Sequence, residues 1–315
     1  MKILVLGAGA IGSVFGGFLA KSGCKVTLVG RPLHMRAVRK QGLKITGIWG
    51  EHIVKDLALC TNMEELVKSK EGSFDLVLVC VKSYDTKKIV EEYLPVIKNS
   101  PYVISFQNGL GNSEIIINSA GEEKTITGRV IFGVNVVEPG EVKVTVYADK
   151  VILGSLNNII KIEEIEEIAD LISNSGIPCQ ASKEINKYLW AKVLYNSCLN
   201  SLASLLEVTY GELGEKEETK KLMLDICKEI FLVAKAKGVE LFWEKPEEYF
   251  DYLINKQIPL TKAHYASMLQ DIRNKKKTEI DSLNGAVVKF AKKRGLIVPV
   301  NEILTRLIKS KESMY

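Results

Sequence analysis

Long apolar runs are absent. Nowhere do about 18 apolar residues follow one another, the length a membrane span needs, so no membrane association is expected. The apolar run at residues 3–6 is too short for a secretory signal and leads into glycines, which points to a cytoplasmic protein. Cysteine is sparse and scattered. The 6 cysteines, at 24, 60, 80, 179, 198 and 227, include no C-x-x-C pair. Neither a zinc site nor a disulfide framework is indicated, and they read as reduced core thiols. Only 3 histidines occur, and His264 has no His or Cys companion at a metal-ligand spacing, so no metal is expected. A large excess of charge of one sign is also lacking. The net charge is +5, and the densest basic run, Arg273-Asn274-Lys275-Lys276-Lys277, carries no interleaved aromatics. That run reads as a solvated turn, and nucleic acid is not an expected partner.

What is there suits two domains: 315 residues, 46% hydrophobic and 26% charged, leave ample material for a core. Residues 1–6 form a short β-branched and leucine run, suited to a strand buried on both faces. It enters Gly7-Ala8-Gly9-Ala10-Ile11-Gly12 and an apolar helical stretch that Lys21-Ser22-Gly23 ends, with a second strand at 25–29. Strand, G-x-G-x-x-G turn, helix and strand within about 30 residues make a dinucleotide-binding unit of Rossmann type. The first Gly makes the turn, the second lets backbone approach a pyrophosphate, and the third lets helix and strand pack closely; the phosphates rest on N–H groups of the helix N-terminus. At the end of the second strand, NAD-binding folds usually place Asp or Glu. This chain has Gly30-Arg31-Pro32, with Arg36 and Arg39 beyond. A guanidinium fork suits a 2′-phosphate, so the expected cofactor is NADPH, against the plain alternative that Arg31 caps a loop.

Two further strands, 74–81 and 102–106, stop at Lys82-Ser83-Tyr84 and Gln107-Asn108-Gly109. Ligands bind beyond the carboxyl ends of strands in open α/β sheets, which puts Lys82 and Asn108 where cofactor and substrate are expected; a plain turn is the other reading of Asn108-Gly109. Residues 127–137, 142–147 and 151–154, with Glu138-Pro139-Gly140 as a turn, look like antiparallel strands extending the sheet, covered by a helix over 162–173.

Near residue 180 the character changes. From Glu184 on, strand-like alternation yields to amphipathic stretches at 185–206, 215–237, 246–255, 265–276, 280–294 and 301–309. The reading is an α/β N-terminal domain over 1–180 and an all-α C-terminal domain over 181–315. Its first helix is the most telling stretch of the chain, because Lys192 is the only charged residue between Tyr188 and Leu206. Lys192, Asn196 and Asn200, at i, i+4 and i+8, stack on one face. An ammonium in an apolar wall is costly unless it is paired, so this column asks either for a polar ligand or for a structural network. Farther on, Ser267 and Asp271 stand one turn apart, and Thr278-Glu279-Ile280-Asp281 opens the next helix, with Thr278 as N-cap and Asp281 at N3. That cap leaves Glu279 for another task.

Taken together these residues resemble the ketopantoate reductase (2-dehydropantoate 2-reductase) family. The resemblance runs in order from GAGAIG, Arg31, Val81-Lys82 and Gln107-Asn108-Gly109, through Trp190-Ala191-Lys192 with Asn196 and Asn200, to Ser267-Met268-Leu269-Gln270-Asp271 and Thr278-Glu279-Ile280-Asp281 with Asn284-Gly285. It implies a Rossmann-type domain joined to a helical domain of the 6-phosphogluconate dehydrogenase C-terminal-like kind, with the active site in the cleft between them. It implies NADPH-dependent reduction of ketopantoate to pantoate in pantothenate and coenzyme A biosynthesis, with Lys192 as general acid. It also implies that Glu279 binds substrate or cofactor ribose and that Asn108, Asn196, Asn200 and Ser267 hold the substrate. A ketone, a hydroxyl and a carboxylate on one small molecule match that donor set. Helical second domains in this family often support dimers, so a homodimer is the assembly the resemblance allows. Two other readings stand beside it: a related reductase of another small 2-keto acid, and an NADP-binding sensor without turnover, for which a proton donor at Lys192 would serve no purpose.

Overall fold

The computed structural model describes residues 1–69 and 72–315, and the chain forms two compact units. The first comprises Met1–Gln107 with Asn112–Ile185, and the second comprises Asn108–Gly111 with Asn186–Tyr315. The sequence division at 180/181 differs from this at one place that matters for chemistry: the four residues that begin with Asn108 group with the helices. Among the described residues, no helix is long and apolar enough to cross a membrane.

Among the described residues, twelve strands build the first unit, in chain order β1 (Lys2–Leu6), β2 (Lys25–Val29), β3 (Leu43–Gly47), β4 (His52–Val54), β5 (Ala58–Cys60), β6 (Leu76–Val79), β7 (Tyr102–Ser105), β8 (Thr125–Arg129), β9 (Phe132–Glu138), β10 (Glu141–Tyr147), β11 (Val151–Gly154) and β12 (Cys179–Ala181). The larger sheet has the order β5-β2-β1-β6-β7-β8-β11-β12. Its strands run parallel from β5 to β8; β11 lies antiparallel to β8, and β12 parallel to β11. The chain starts in the middle, fills one side through β2 and β5, then returns to fill the other from β6. That reversal between β1 and β6 is the switch point at which such sheets bind nucleotides. Leu-Val-Leu-Val in β6 is buried throughout, as the continuous apolar run requires of a strand covered on both faces.

The hairpin expected to extend this sheet does something else. β9 and β10 pair with each other and then with β3 and β4, in a separate sheet of order β4-β3-β10-β9. Of the three segments expected to be antiparallel additions, only β11 behaves so, because β8 is parallel to β7. The physical reason is the helix α1 (Ala10–Lys21). Nine of its residues are buried, so it needs cover on the face turned away from the larger sheet. Phe15 of α1 stacks on Phe106 at 4.0 Å and meets Phe132 of β9 at 5.8 Å, while Phe18 meets Trp49 edge-on at 5.7 Å. The second sheet supplies that cover. The helix Ile162–Asn174 packs on β11 and β12, with Ile165, Ile168 and Ile172 buried.

The second unit is helical, and Ile185–Leu206 is its spine. Trp190, Val193, Leu194, Cys198, Leu199, Leu202 and Ala203 point into a core shared with Met223, Ile226, Cys227 and Ile230 of the helix Glu217–Ala236. Burial along this helix, in which Leu206 alone is exposed, explains its near absence of charge. Cys198 and Cys227, distant in sequence, bring their sulfurs to 3.5 Å in this core as free thiols. The expected helix over 280–294 is broken. A 3-10 turn spans Ile280–Ser282, and the α-helix begins only at Asn284, after Leu283 adopts φ −105° and ψ −110°. Thr278 Oγ1 accepts from Ile280 N–H at 3.3 Å, so it caps this tight turn, while Asp281 pairs with Lys309 at 2.5 Å instead of occupying N3 of a longer helix.

One buried histidine ties the first unit together. His34, at the start of the helix α2 (Pro32–Gln41), accepts from the Gly140 N–H through Nδ1 at 3.0 Å and lies 3.2 Å from Ser13 Oγ through Nε2. It thereby joins α1, α2 and the β9–β10 turn. Burial, and then the charge of Arg31, lower its pKa; burial also lowers that of His264. A base whose pKa drops on folding binds fewer protons folded than unfolded, so its stabilisation is complete above the unfolded pKa of about 6.5 and declines as pH falls below it. The melting temperature should therefore be lower at about pH 5.5 than at about pH 7.5. His34→Gln, which keeps an acceptor and a donor without titrating, should shrink that difference, and an unchanged difference would assign the loss to other groups.

Candidate active site

In the first unit, the turn after β1 carries the phosphate-binding pattern. Gly7 sits at φ +103°, and a Cβ there would fall 2.7 Å from Val81 Cγ1 and backbone N, so only glycine lets this turn lie against the end of β6. At Gly12 a Cβ would strike the Gly7 carbonyl oxygen at 2.1 Å. At Gly9 a Cβ would meet nothing within 4 Å, which leaves open space directly over the N-terminus of α1. That helix has Gly9 as its N-cap, no side-chain cap and no acidic residue in its first turn. The N–H groups of Ala10, Ile11 and Gly12 thus lie in the part of the helix that has no intrahelical acceptor, flanked by Ala8 and open space: a cradle fit for a pyrophosphate.

Arg31 is exposed, as N-cap of α2 immediately beyond β2, and its side chain makes no capping bond. Arg39, also considered from sequence, donates to the Leu59 carbonyl oxygen at 3.3 Å and so is engaged with the β5 edge. Lys82 is half-buried and leads into the 3-10 turn Ser83–Asp85, beside Val81 and hence beside the glycine turn. Gln107 donates to Val81 O at 3.0 Å and to Thr86 Oγ1 at 2.5 Å, which fixes the carboxyl end of β6 from the neighbouring strand end.

In the second unit, three of the expected residues form one hydrogen-bonded chain. Lys192 Nζ donates to Asn108 Oδ1 at 2.6 Å, and Asn108 Nδ2 donates to Glu279 Oε2 at 3.1 Å. The chemistry permits no other orientation of that amide, because an ammonium only donates and a carboxylate only accepts. Glu279 is 8% exposed. A buried acceptor of this kind left unmatched costs about 1–3 kcal/mol or more, which is the local reason for the Asn108 amino group. Residues 84 and 171 positions apart are brought together by backbone. Gly109 sits at φ +83°, and a Cβ there would lie 2.2 Å from the Ser282 carbonyl oxygen. Leu110 N–H donates to that same oxygen at 2.8 Å. Ser282 in turn donates from N and Oγ to the Glu279 carbonyl oxygen, at 3.0 and 2.9 Å. The 108–111 segment and the 279–282 turn are therefore one clamp.

The remaining expected residues are not bonded to this chain. Asn196 is half-buried, one turn along from Lys192. Asn200 is 5% exposed and accepts through Oδ1 from the Tyr210 hydroxyl at 2.5 Å. Ser267 is exposed at the first turn of the helix Ser267–Arg273. Sequence reasoning misses Ser282 and Tyr210, and it names Gln107 only as part of a strand-end motif, without the bonds to Val81 and Thr86. Asn108-Gly109 carries a turn signal that points to Gly109, but nothing in the local sequence points to Ser282 or Tyr210. Among the described residues, no group of three or more His, Cys, Asp or Glu could hold a metal ion.

Comparison with known proteins also matches the chain in two parts. The family described as ketopantoate reductase PanE/ApbA matches residues 3–158, and its C-terminal counterpart matches residues 184–312. The 2-dehydropantoate 2-reductase of Aquifex aeolicus is 38% identical over 314 residues, covering 99% of this chain and 97% of the relative. That of Pyrococcus abyssi is also 38% identical over 314 residues, covering 100% and 99%. The crystal structure of a PanE/ApbA family ketopantoate reductase from Ralstonia eutropha superposes with a TM-score of 0.87 at 28% identity, covering 100% of this chain and 99% of that one. D-mandelate dehydrogenase in its ternary structure with NADH and anilino(oxo)acetate gives 0.89 at 30% identity over the same shares. With both halves matched in order and whole-length relatives at this identity, the chain belongs to the ketopantoate reductase family of oxidoreductases.

Proposed function

We propose that the protein reduces 2-dehydropantoate to pantoate with NADPH, a step of pantothenate and coenzyme A synthesis, and that Lys192 is the general acid. The observation that carries this reading is the bond from Lys192 Nζ to Asn108 Oδ1 at 2.6 Å, continued to Glu279 at 3.1 Å. An ammonium held this way has one N–H direction fixed and its charge anchored.

NADPH, when bound, supplies the hydride that adds to the ketone carbon. The residues of this chain do the rest. Gly7, Ala8, Gly9, Ala10, Ile11 and Gly12 receive the pyrophosphate, Arg31 the 2′-phosphate and Lys82 the adenosine half. Negative charge develops on the ketone oxygen as the hydride adds. Lys192 Nζ offsets that charge and transfers a proton to the oxygen, which leaves a secondary alcohol. Asn108 orients the ammonium and the substrate or nicotinamide ribose. Glu279, through the Asn108 amino group, holds that amide, and it binds substrate or cofactor ribose. Asn196 and Asn200 bind the substrate hydroxyl, and Ser267 its carboxylate. The chain is cytoplasmic in this reading, with a homodimer as the expected assembly.

Three variants test these roles. Lys192→Ala should lower kcat by about 10²–10⁴-fold, the usual reach of a positioned acid, with NADPH affinity nearly unchanged; equal losses in both would remove the acid role. Arg31→Ala removes a charge-assisted contact worth about 1.5–3 kcal/mol, so NADPH should bind about 10- to 100-fold more weakly while NADH changes little. An unaltered preference between the two would sink the 2′-phosphate assignment. Glu279→Ala should slow 2-dehydropantoate reduction, and a normal rate at every substrate level would take Glu279 out of the site.

A further inference from the structure

Asn200 is the one residue of the Lys192–Asn196–Asn200 face whose amide is held by a side chain from the helical core. Its Oδ1 lies 2.5 Å from the Tyr210 hydroxyl oxygen, and the two residues are 5% and 2% exposed. A separation of about 2.5 Å lies within the O–H···O range and below the ~2.7 Å lower bound for N–H···O, so the phenol donates to the carbonyl end of the amide. The Asn200 amino group is then the end turned away from Tyr210. Burial first, and the neighbouring Tyr195 second, push the Tyr210 hydroxyl well above the ordinary tyrosine range, so it keeps its proton.

Tyr210 is itself immobilised. Its N–H donates to the His264 carbonyl oxygen at 3.1 Å, and its ring stands edge-on to Tyr195 at 5.8 Å and packs on His264 at 5.2 Å. Thr209 caps the short helix it opens, through a reciprocal pair with Glu212. Tyr195, one position before Asn196, donates to Thr261 Oγ1 at 3.1 Å. Two apolar side chains of matching shape would join these helices without desolvating a phenol and an amide. What the polar pair adds is direction: it decides which end of the Asn200 amide is offered.

We propose that Tyr210 is a specificity-determining positioning residue, which locks the Asn200 amide so that Nδ2 donates to the hydroxyl oxygen of a 4-hydroxylated, branched 2-keto acid, resting on the reading of Asn200 as a substrate contact. Tyr210 touches no substrate; it acts through Asn200. A site built to meet a hydroxyl discriminates against the analogue that lacks it, because the buried donor then goes unmatched.

The test compares kcat/KM for 2-dehydropantoate and for 3,3-dimethyl-2-oxobutanoate, the same keto acid without the hydroxyl, in the wild type, Tyr210→Phe, Asn200→Ala and the double variant. Thermal melting of each accompanies the kinetics. Wild type should prefer the hydroxylated acid. Tyr210→Phe should cut kcat/KM for that acid by about tenfold, chiefly through KM, and leave the other within about twofold. In the Asn200→Ala background the preference should already be lost, with no further change on adding Tyr210→Phe. Equal losses on both acids, or no loss on either, would overturn the role of Tyr210 while Asn200 stands. A wild-type enzyme that does not distinguish the two acids, or an Asn200→Ala variant that still does, would overturn the reading of Asn200 and Tyr210's role with it. Should Tyr210→Phe melt before assay, Tyr210→Leu takes its place in the same comparison: selective loss on the hydroxylated acid supports the role of Tyr210, and equal losses on both acids or none overturn it.

Discussion

The arrangement depends on the orientation of one primary amide. Asn108 stands between a group that can only donate and a group that can only accept, and its two ends are matched to them at 2.6 and 3.1 Å. A rotation by half a turn would set oxygen against carboxylate and amino group against ammonium. That mismatch is what opposes the rotation, and the surrounding backbone ties the segment that carries Asn108 to the turn that carries Glu279. Gly109 takes a conformation that side chains resist, so that its neighbour Leu110 can bond to Ser282, and Ser282 bonds back to the residue carrying the carboxylate.

Much of the α/β architecture is legible in the sequence because its signals are local. The β1 run, the glycine turn, the apolar helix and β2 follow within the first 29 residues, and each predicts the next. The helical half is legible as well, since a 22-residue helix with one charged residue between Tyr188 and Leu206 has few other interpretations. The second sheet is not. Whether β9 and β10 join β3 and β4 or the main sheet depends on the face of α1 turned away from the main sheet, a long-range need that alternation within each strand does not record. The break before Asn284 escapes for a similar reason: the cap signal at Thr278 is genuine, but it closes a 3-10 turn of three residues.

The same distinction runs through the candidate site. Lys192 stands out because charge is otherwise missing around it, and Asn108 because it follows a strand. Their joining to Glu279 spans 84 and 171 positions and is invisible until the chain is folded. Ser282 and Tyr210 leave no trace at all in the sequence, since what they contribute is a bond to a residue that does. For Asn200 the face is legible and the burial is not: spacing places it with Lys192, while its carbonyl is turned to Tyr210.

The four residues Asn108–Gly111 group with the helices although the chain on either side of them belongs to the sheets. The helical part is therefore not a continuous stretch of polypeptide. A fragment cut after Ile185 would keep Lys192 and Glu279 and lose the amide between them, and the complementary fragment would carry that amide with nothing to hold. Exchange of halves between related proteins would have to preserve a match between a strand-end loop on one side of the cut and a 3-10 turn on the other.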